Sequence, residues 1–104
     1  MGKTKRFADR NPMTTITLRY WAGARAAAGC SAETWTADSI ADALTRARTR
    51  RDDPRFDRVL AMCSLLLDGR VLGPAELARL RTEPVEVEVL PPFAGGGARL
   101  SGRR

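Results

Sequence analysis

Ile16, Leu18 and Tyr20 alternate with Thr15, Thr17 and Arg19, so the segment up to about Trp21 repeats every two residues. That period predicts a half-buried strand with one apolar and one wet face. Gly23 to Gly29 brackets an alanine-rich stretch that reads as a short turn of helix. Thr34-Trp35-Thr36, β-branched and aromatic, reads as a second strand paired with the first as a hairpin. From Ser39 the period changes. Ile40, Ala43, Leu44 and Ala47 recur at helical spacing behind an S-x-x-D variant of the capping box, Ser39 with Asp42. Asp38 and Asp42 at the start and Arg48, Arg50 and Arg51 at the end suit the helix dipole, which predicts a helix over 39–50. Asp53-Pro54 offers an N-cap with proline at the first helical position, and Phe56, Val59 and Leu60 would line one side of a second, short helix.

Beyond Cys63 the helical period stops. Leu65-Leu66-Leu67 is a continuous apolar run, which predicts a strand buried on both faces, and Asp68-Gly69 predicts a hairpin turn returning the chain as a short strand, Arg70-Val71-Leu72. Pro74 to Leu80 suits one or two turns of helix. Val85, Val87 and Val89 then alternate with Glu86 and Glu88, placing valines inside and glutamates in water. The order is strand, strand, helix, then strands, with the first and last strands both suited to the centre. It predicts an α+β fold, a β-grasp (ubiquitin-like) roll in which a small mixed sheet carries one main helix packed on one face.

The chain of 104 residues has the length of one domain. Its longest apolar runs fall far short of the roughly 20 residues that span a bilayer. No apolar stretch follows Lys3, Lys5 and Arg6 as a secretory signal would require, so the expected location is the cytoplasm, with no membrane partner. The net charge of +6 sits at the ends: residues 1–12 carry +3 and residues 97–104, through Arg99, Arg103 and Arg104, carry +3. Residues 13–96 are balanced. Basic arms can grip phosphate, with salt-sensitive affinity. Solvated arms, or a start at Met13 that leaves the first arm out, are the preferred account of this charge. The aromatic content of 6% offers little for base stacking, so nucleic acid is not the expected partner. Four segments follow: a basic, disordered N-terminal arm over 1–13, a β-grasp domain over 14–90, a flexible tail over 91–96 and a basic extension over 97–104.

Cys30 and Cys63 lack C-x-x-C spacing, and the chain contains no histidine. Zinc sites and Cys–His or Ser–His catalytic pairs are therefore disfavoured, and no metal ligands are predicted. Cys63 is expected to pack in the core and Cys30 to lie in a loop.

The distinctive segment is Leu90-Pro91-Pro92-Phe93-Ala94-Gly95-Gly96-Gly97. Consecutive prolines remove ladder donors and fix φ, so the sheet must stop there and the chain leave it extended. The glycines beyond lack Cβ, which lets the chain thread a narrow channel and exposes a backbone carbonyl to attack from several sides. A flexible linker is the plainer reading.

A β-grasp outline ending in Pro-Pro-x-x-Gly-Gly, with Trp21-Ala22-x-x-Arg25-x-x-x-Gly29 after the first strand, resembles the small subunit of molybdopterin synthase and its relative, the thiamine-pathway sulfur carrier. The likeness covers about residues 14–96, and Pro91-Pro92 and the length of the middle look more like the molybdopterin branch. The resemblance implies a protein cosubstrate that is not catalytic alone and holds no permanent cofactor. An activating enzyme would adenylate its terminal glycine with ATP and convert it to a thiocarboxylate. The sulfur would then pass to a cyclic pterin phosphate in the large subunit, building a dithiolene. Gly96 takes the reactive position, preceded by Gly95, with Pro91, Pro92, Phe93 and Ala94 entering the partner. Trp21, Val71 and Leu90 match an apolar docking patch, although they read equally as ordinary core or rim residues. Arg25 matches a family arginine or is a solvated helix charge.

The sequence departs from that pattern by continuing from Gly97 to Arg104, which leaves Gly96 with an amide where a free carboxylate is required. A processing peptidase cutting after Gly96 would resolve this, and a sequence artefact is the duller explanation. Two alternatives remain: a sulfur carrier for thiamine or cysteine synthesis, and a non-catalytic ubiquitin-like interaction module with basic arms.

Overall fold

The computed structural model describes residues 13–92. Phe93, Ala94, Gly95, Gly96, residues 1–12 of the N-terminal arm and the extension over 97–104 lie outside the described residues. The elements run β1 (Thr14–Tyr20), α1 (Ala22–Ala28), β2 (Ala32–Ala37), α2 (Ile40–Arg51), α3 (Pro54–Met62), β3 (Ser64–Leu67), β4 (Arg70–Val71), α4 (Pro74–Ala78) and β5 (Val85–Leu90). They build one five-stranded sheet in the order β2-β1-β5-β3-β4. β1 lies antiparallel to β2 and parallel to β5, with Leu18 beside Val87 and Tyr20 beside Val89. First and last strands thus meet at the centre, as their alternation predicts. This is the β-grasp fold.

Why α2 starts where it does is visible in its cap. Ser39 is extended, and its Oγ accepts the Asp42 N–H at 3.0 Å, satisfying a donor the first turn would otherwise orphan. Asp42 in turn reaches back to the Asp38 N–H at 3.4 Å. The start of α3 follows the same logic, with Asp53 accepting from the Arg55 N–H at 2.9 Å and Pro54 in the first turn. α1 ends at Gly29, whose φ of 82° lies in the left-handed region open to glycine, and its N–H closes onto the Arg25 carbonyl.

One face of the sheet is covered by the helices. Ile16, Leu18, Tyr20, Val87 and Val89 meet Ile40, Ala43, Leu44, Ala47, Phe56 and Leu60 in a single buried core. Tyr20 and Phe56 pack edge to face with centroids 5.9 Å apart. The Arg51 guanidinium lies 4.5 Å above the Phe56 ring and 5.6 Å above the Tyr20 ring. Arg51 also donates to Glu33 at 2.8 Å and to the carbonyls of Ala28 and Ala47, so it ties the end of α2 to the end of α1 and to β2.

Three expectations change. The run Leu65–Leu67 is not buried on both faces: all three leucines are half-buried, because helices cover one face only and β4 contributes just two residues beyond β3. Leu72 is buried, as an inward strand residue would be. However, the β4 ladder closes at Val71, and Leu72 continues it only through its N–H to the Leu65 carbonyl. The helix at Pro74 ends at Ala78, and Leu80 is exposed. Cys63 is half-buried against the core, its thiol donating to the Val59 carbonyl at 3.2 Å, and burial pushes its pKa upward. Cys30 lies in the α1–β2 loop, half-buried, with Arg51 Nη2 3.6 Å from its sulfur.

Candidate functional site

The uncovered face of the sheet can be read from register. Inward positions on β1 and β5 are Ile16, Leu18, Tyr20, Val87 and Val89, so Thr17, Arg19, Glu86, Glu88 and Leu90 point to the open face. Leu66 pairs with Glu88 and with Val71, and Leu90 pairs with Ser64, which puts Leu66, Val71 and Leu90 on that same face. Trp21 follows the inward Tyr20, and its N–H donates to the Val89 carbonyl at 3.2 Å, holding it beside the end of β5. The result is a set of apolar side chains near the point where the chain leaves β5 into Pro91 and Pro92, with Trp21 beside Leu90 at the end and Leu66 with Val71 one rung back, next to the exposed Glu88.

Its exposure is high for apolar side chains: Trp21 is 42% and Val71 66% accessible, while Leu66 and Leu90 are half-exposed. Ala22, next to Trp21, has φ of +49°, a conformation a non-glycine residue adopts at a cost, at the corner that turns the chain from β1 into α1. Farther along the open face the surface becomes polar. Arg19 pairs with Glu86 through Nε and Oε2, and Thr17 and Thr34 hydrogen-bond across β1 and β2 at 2.8 Å.

Sequence reasoning named Trp21, Val71 and Leu90, and the structure brings them together on one face. It missed Leu66, because a run of three leucines carries no alternation; the Asp68-Gly69 turn, which sets Leu66 opposite Val71, is the signal that finds it. Arg25 is exposed on α1 and makes no ion pair among the described residues, so nothing joins it to the patch. Pro91 is half-buried and Pro92 exposed. Gly95, Gly96, Phe93 and Ala94 lie outside the described residues. Among the described residues no group of three His, Cys, Asp or Glu side chains is placed to hold a metal ion. No helix among them is long and apolar enough to cross a membrane.

The arrangement leaves apolar side chains exposed beside the point where the chain leaves the sheet at Pro91. A search of family models finds no match, and no curated protein matches. Solved structures do. The small archaeal modifier protein 1 of Methanosarcina acetivorans superposes with a TM-score of 0.66 at 20% identity, over 81% of this chain and 98% of that one. The small archaeal modifier protein 1 of Haloferax volcanii gives 0.63 at 19%, over 79% and 99%. A Pyrococcus furiosus protein assigned as molybdopterin converting factor, subunit 1, gives 0.62 at 18%, over 77% and 99%. At these identities the likeness is one of fold, and residues 13–92 therefore form a ubiquitin-like β-grasp domain of the kind seen in the small archaeal modifiers and in a molybdopterin converting factor subunit.

Proposed function

We propose that this chain is a sulfur-carrier protein acting as the small subunit of a molybdopterin synthase. The observation that carries the reading is the position of the Pro-Pro-x-x-Gly-Gly motif in the fold: it begins where central strand β5 ends, beside the exposed apolar group of Trp21, Leu66, Val71 and Leu90. The rigid roll docks through that group on a large subunit, and residues 91–96 reach into the partner's pocket. A peptidase first removes residues 97–104. The freed Gly96 carboxylate attacks the α-phosphate of ATP on an activating enzyme, releasing pyrophosphate. A sulfur donor then displaces AMP to leave a thiocarboxylate, which delivers its sulfur to a cyclic pterin phosphate. Small glycines suit the channel because they let the acyl carbon be reached without side-chain obstruction.

The names of the two archaeal modifiers favour a second use of the same activated glycine, acyl transfer to an amine of another protein. Both uses require the freed Gly96. The deciding experiment is the intact mass of the chain isolated from its own host, read at both ends, together with an immunoblot for higher-mass adducts. A species ending at Gly96 with one oxygen replaced by sulfur supports the carrier; adducts that vanish in Gly96→Phe support the modifier. A chain found only as the form ending at Arg104, free of both, overturns the proposal.

A further inference from the structure

β2 is an edge strand, and the backbone register of its pairing with β1 leaves its other side open. The Tyr20 N–H donates to the Ser31 carbonyl at 2.8 Å, which makes Tyr20 and Ser31 a hydrogen-bonded pair. Alternation along an antiparallel ladder then assigns Leu18–Glu33, Ile16–Trp35 and Thr14–Ala37 to hydrogen-bonded pairs and Thr17–Thr34 to a non-bonded one. The 2.8 Å contact between the Thr17 and Thr34 hydroxyls fits that, because side chains approach more closely at non-bonded pairs. Ala32, Thr34 and Thr36 therefore aim their N–H and C=O groups away from the sheet. Among the described residues none of these groups has a backbone partner.

Edge strands are usually blunted by shortness, proline, a bulge, a charge on the edge, an unpaired inward-pointing charge or a covering segment. β4 at the opposite edge is blunted by its length of two residues. β2 has six residues, no proline and no glycine, and its one charge, the inward-pointing Glu33, is already paired with Arg51 and Tyr20, so it sets no unpaired charge against an added strand. A cation flanks the edge. Arg50 is exposed, lies 5.7 Å above the Trp35 ring, and makes no ion pair among the described residues.

We propose that the β2 edge is a second docking site, independent of the glycine tail, which takes an extended acidic segment of a partner protein as a sixth strand. Main-chain bonds to Ala32, Thr34 and Thr36 hold the segment. On the helix-bearing face its acidic side chains meet Arg50 beside Trp35, and on the open face its β-branched side chains lie against Thr34 and Thr36. A second copy of this chain fits less well. Antiparallel pairing of two β2 edges with matched faces brings the two Arg50 side chains to the same side of the joined sheet, where like charges oppose association.

The test uses the full chain, isotope-labelled, titrated with the capped peptide acetyl-Thr-Glu-Val-Glu-Thr-Glu-Val-amide and with the same peptide carrying lysine for glutamate. The amides of Ala32, Thr34 and Thr36 should shift and become protected from exchange with the glutamate peptide. Arg50→Glu should weaken that binding by about tenfold or more and reverse the preference toward the lysine peptide. Thr34→Pro should abolish binding while the fold survives, because the Thr34 N–H is not part of the β1–β2 ladder. Should that variant fail to fold, the Arg50→Glu result decides. Amides that stay unchanged at about 1 mM peptide overturn the proposal. So do shifts confined to Leu66, Val71 and Leu90, or equal binding of both peptides. Protection of the same amides that grows with protein concentration in the absence of peptide gives the edge to a second copy, and overturns the partner assignment.

Discussion

The Glu33 carboxylate accepts the Tyr20 hydroxyl at 2.6 Å and Arg51 Nη1 at 2.8 Å, with the Glu33 and Arg51 side chains only 16% and 15% accessible. Burial alone would raise the Glu33 pKa, but the hydrogen bonds from Arg51 and Tyr20 and the Arg51 charge outweigh it and hold the group below its ordinary value of 4.5. A depressed carboxylate stabilises the fold above its unfolded pKa, and that contribution is lost as pH falls through the folded value. Tyr20 runs the other way. Burial first, then its bond to Glu33, pushes its pKa far above the ordinary 10.0, so its contribution is complete below pH 10 and is lost as pH rises beyond it. Denaturant melts across pH should show a plateau with losses below about 4.5 and above about 10, and Tyr20→Phe should remove the alkaline loss. An unchanged alkaline limb in that variant would assign it to another group. At the same scale, Ser39→Ala should cost about 1 kcal/mol in urea unfolding, because the Asp42 N–H at the start of α2 loses its acceptor.

Among the elements, β5 bears the most on the fold, since it lies between β1 and β3 with Val87 and Val89 fully buried. Val87→Asp places an unpaired carboxylate in that core at a cost of several kcal/mol, comparable with the roughly 5–15 kcal/mol that hold a domain of this size. The variant should show no cooperative thermal transition by circular dichroism; a wild-type melt would mean the valine face is not the inner one. The β5 pattern was legible because valine and glutamate alternate without interruption. β3 was not, since three consecutive leucines look the same whether a strand has one covered face or two. Only the helices, all on one side, and the brevity of β4 decide that Leu66 stays half-exposed.

For the molecule as a whole, the sheet presents one covered and one open face, and the apolar residues left on the open face gather where β5 ends. Leu66→Arg should leave the melting transition within a few degrees of wild type, since Leu66 is outside the buried core; under the proposed function it should also weaken association with the large subunit in a pull-down by at least about tenfold. Association unchanged by that substitution would move the docking surface elsewhere. By itself the sequence determined the periodic elements, the caps at Ser39 and Asp53, the Asp68-Gly69 turn and the Pro91-Pro92 exit, because each depends on residues within a few positions of one another. Which strands lie side by side, and so which residues of distant strands share a face, was decided by tertiary structure. Trp21, Leu66, Val71 and Leu90 are scattered over 70 positions and share a face because β5 lies between β1, which sets Trp21 beside its end, and β3, whose hairpin with β4 carries Leu66 and Val71. The free side of β2 likewise exists only because β1 takes its other side, a choice of strand order that no local pattern encodes.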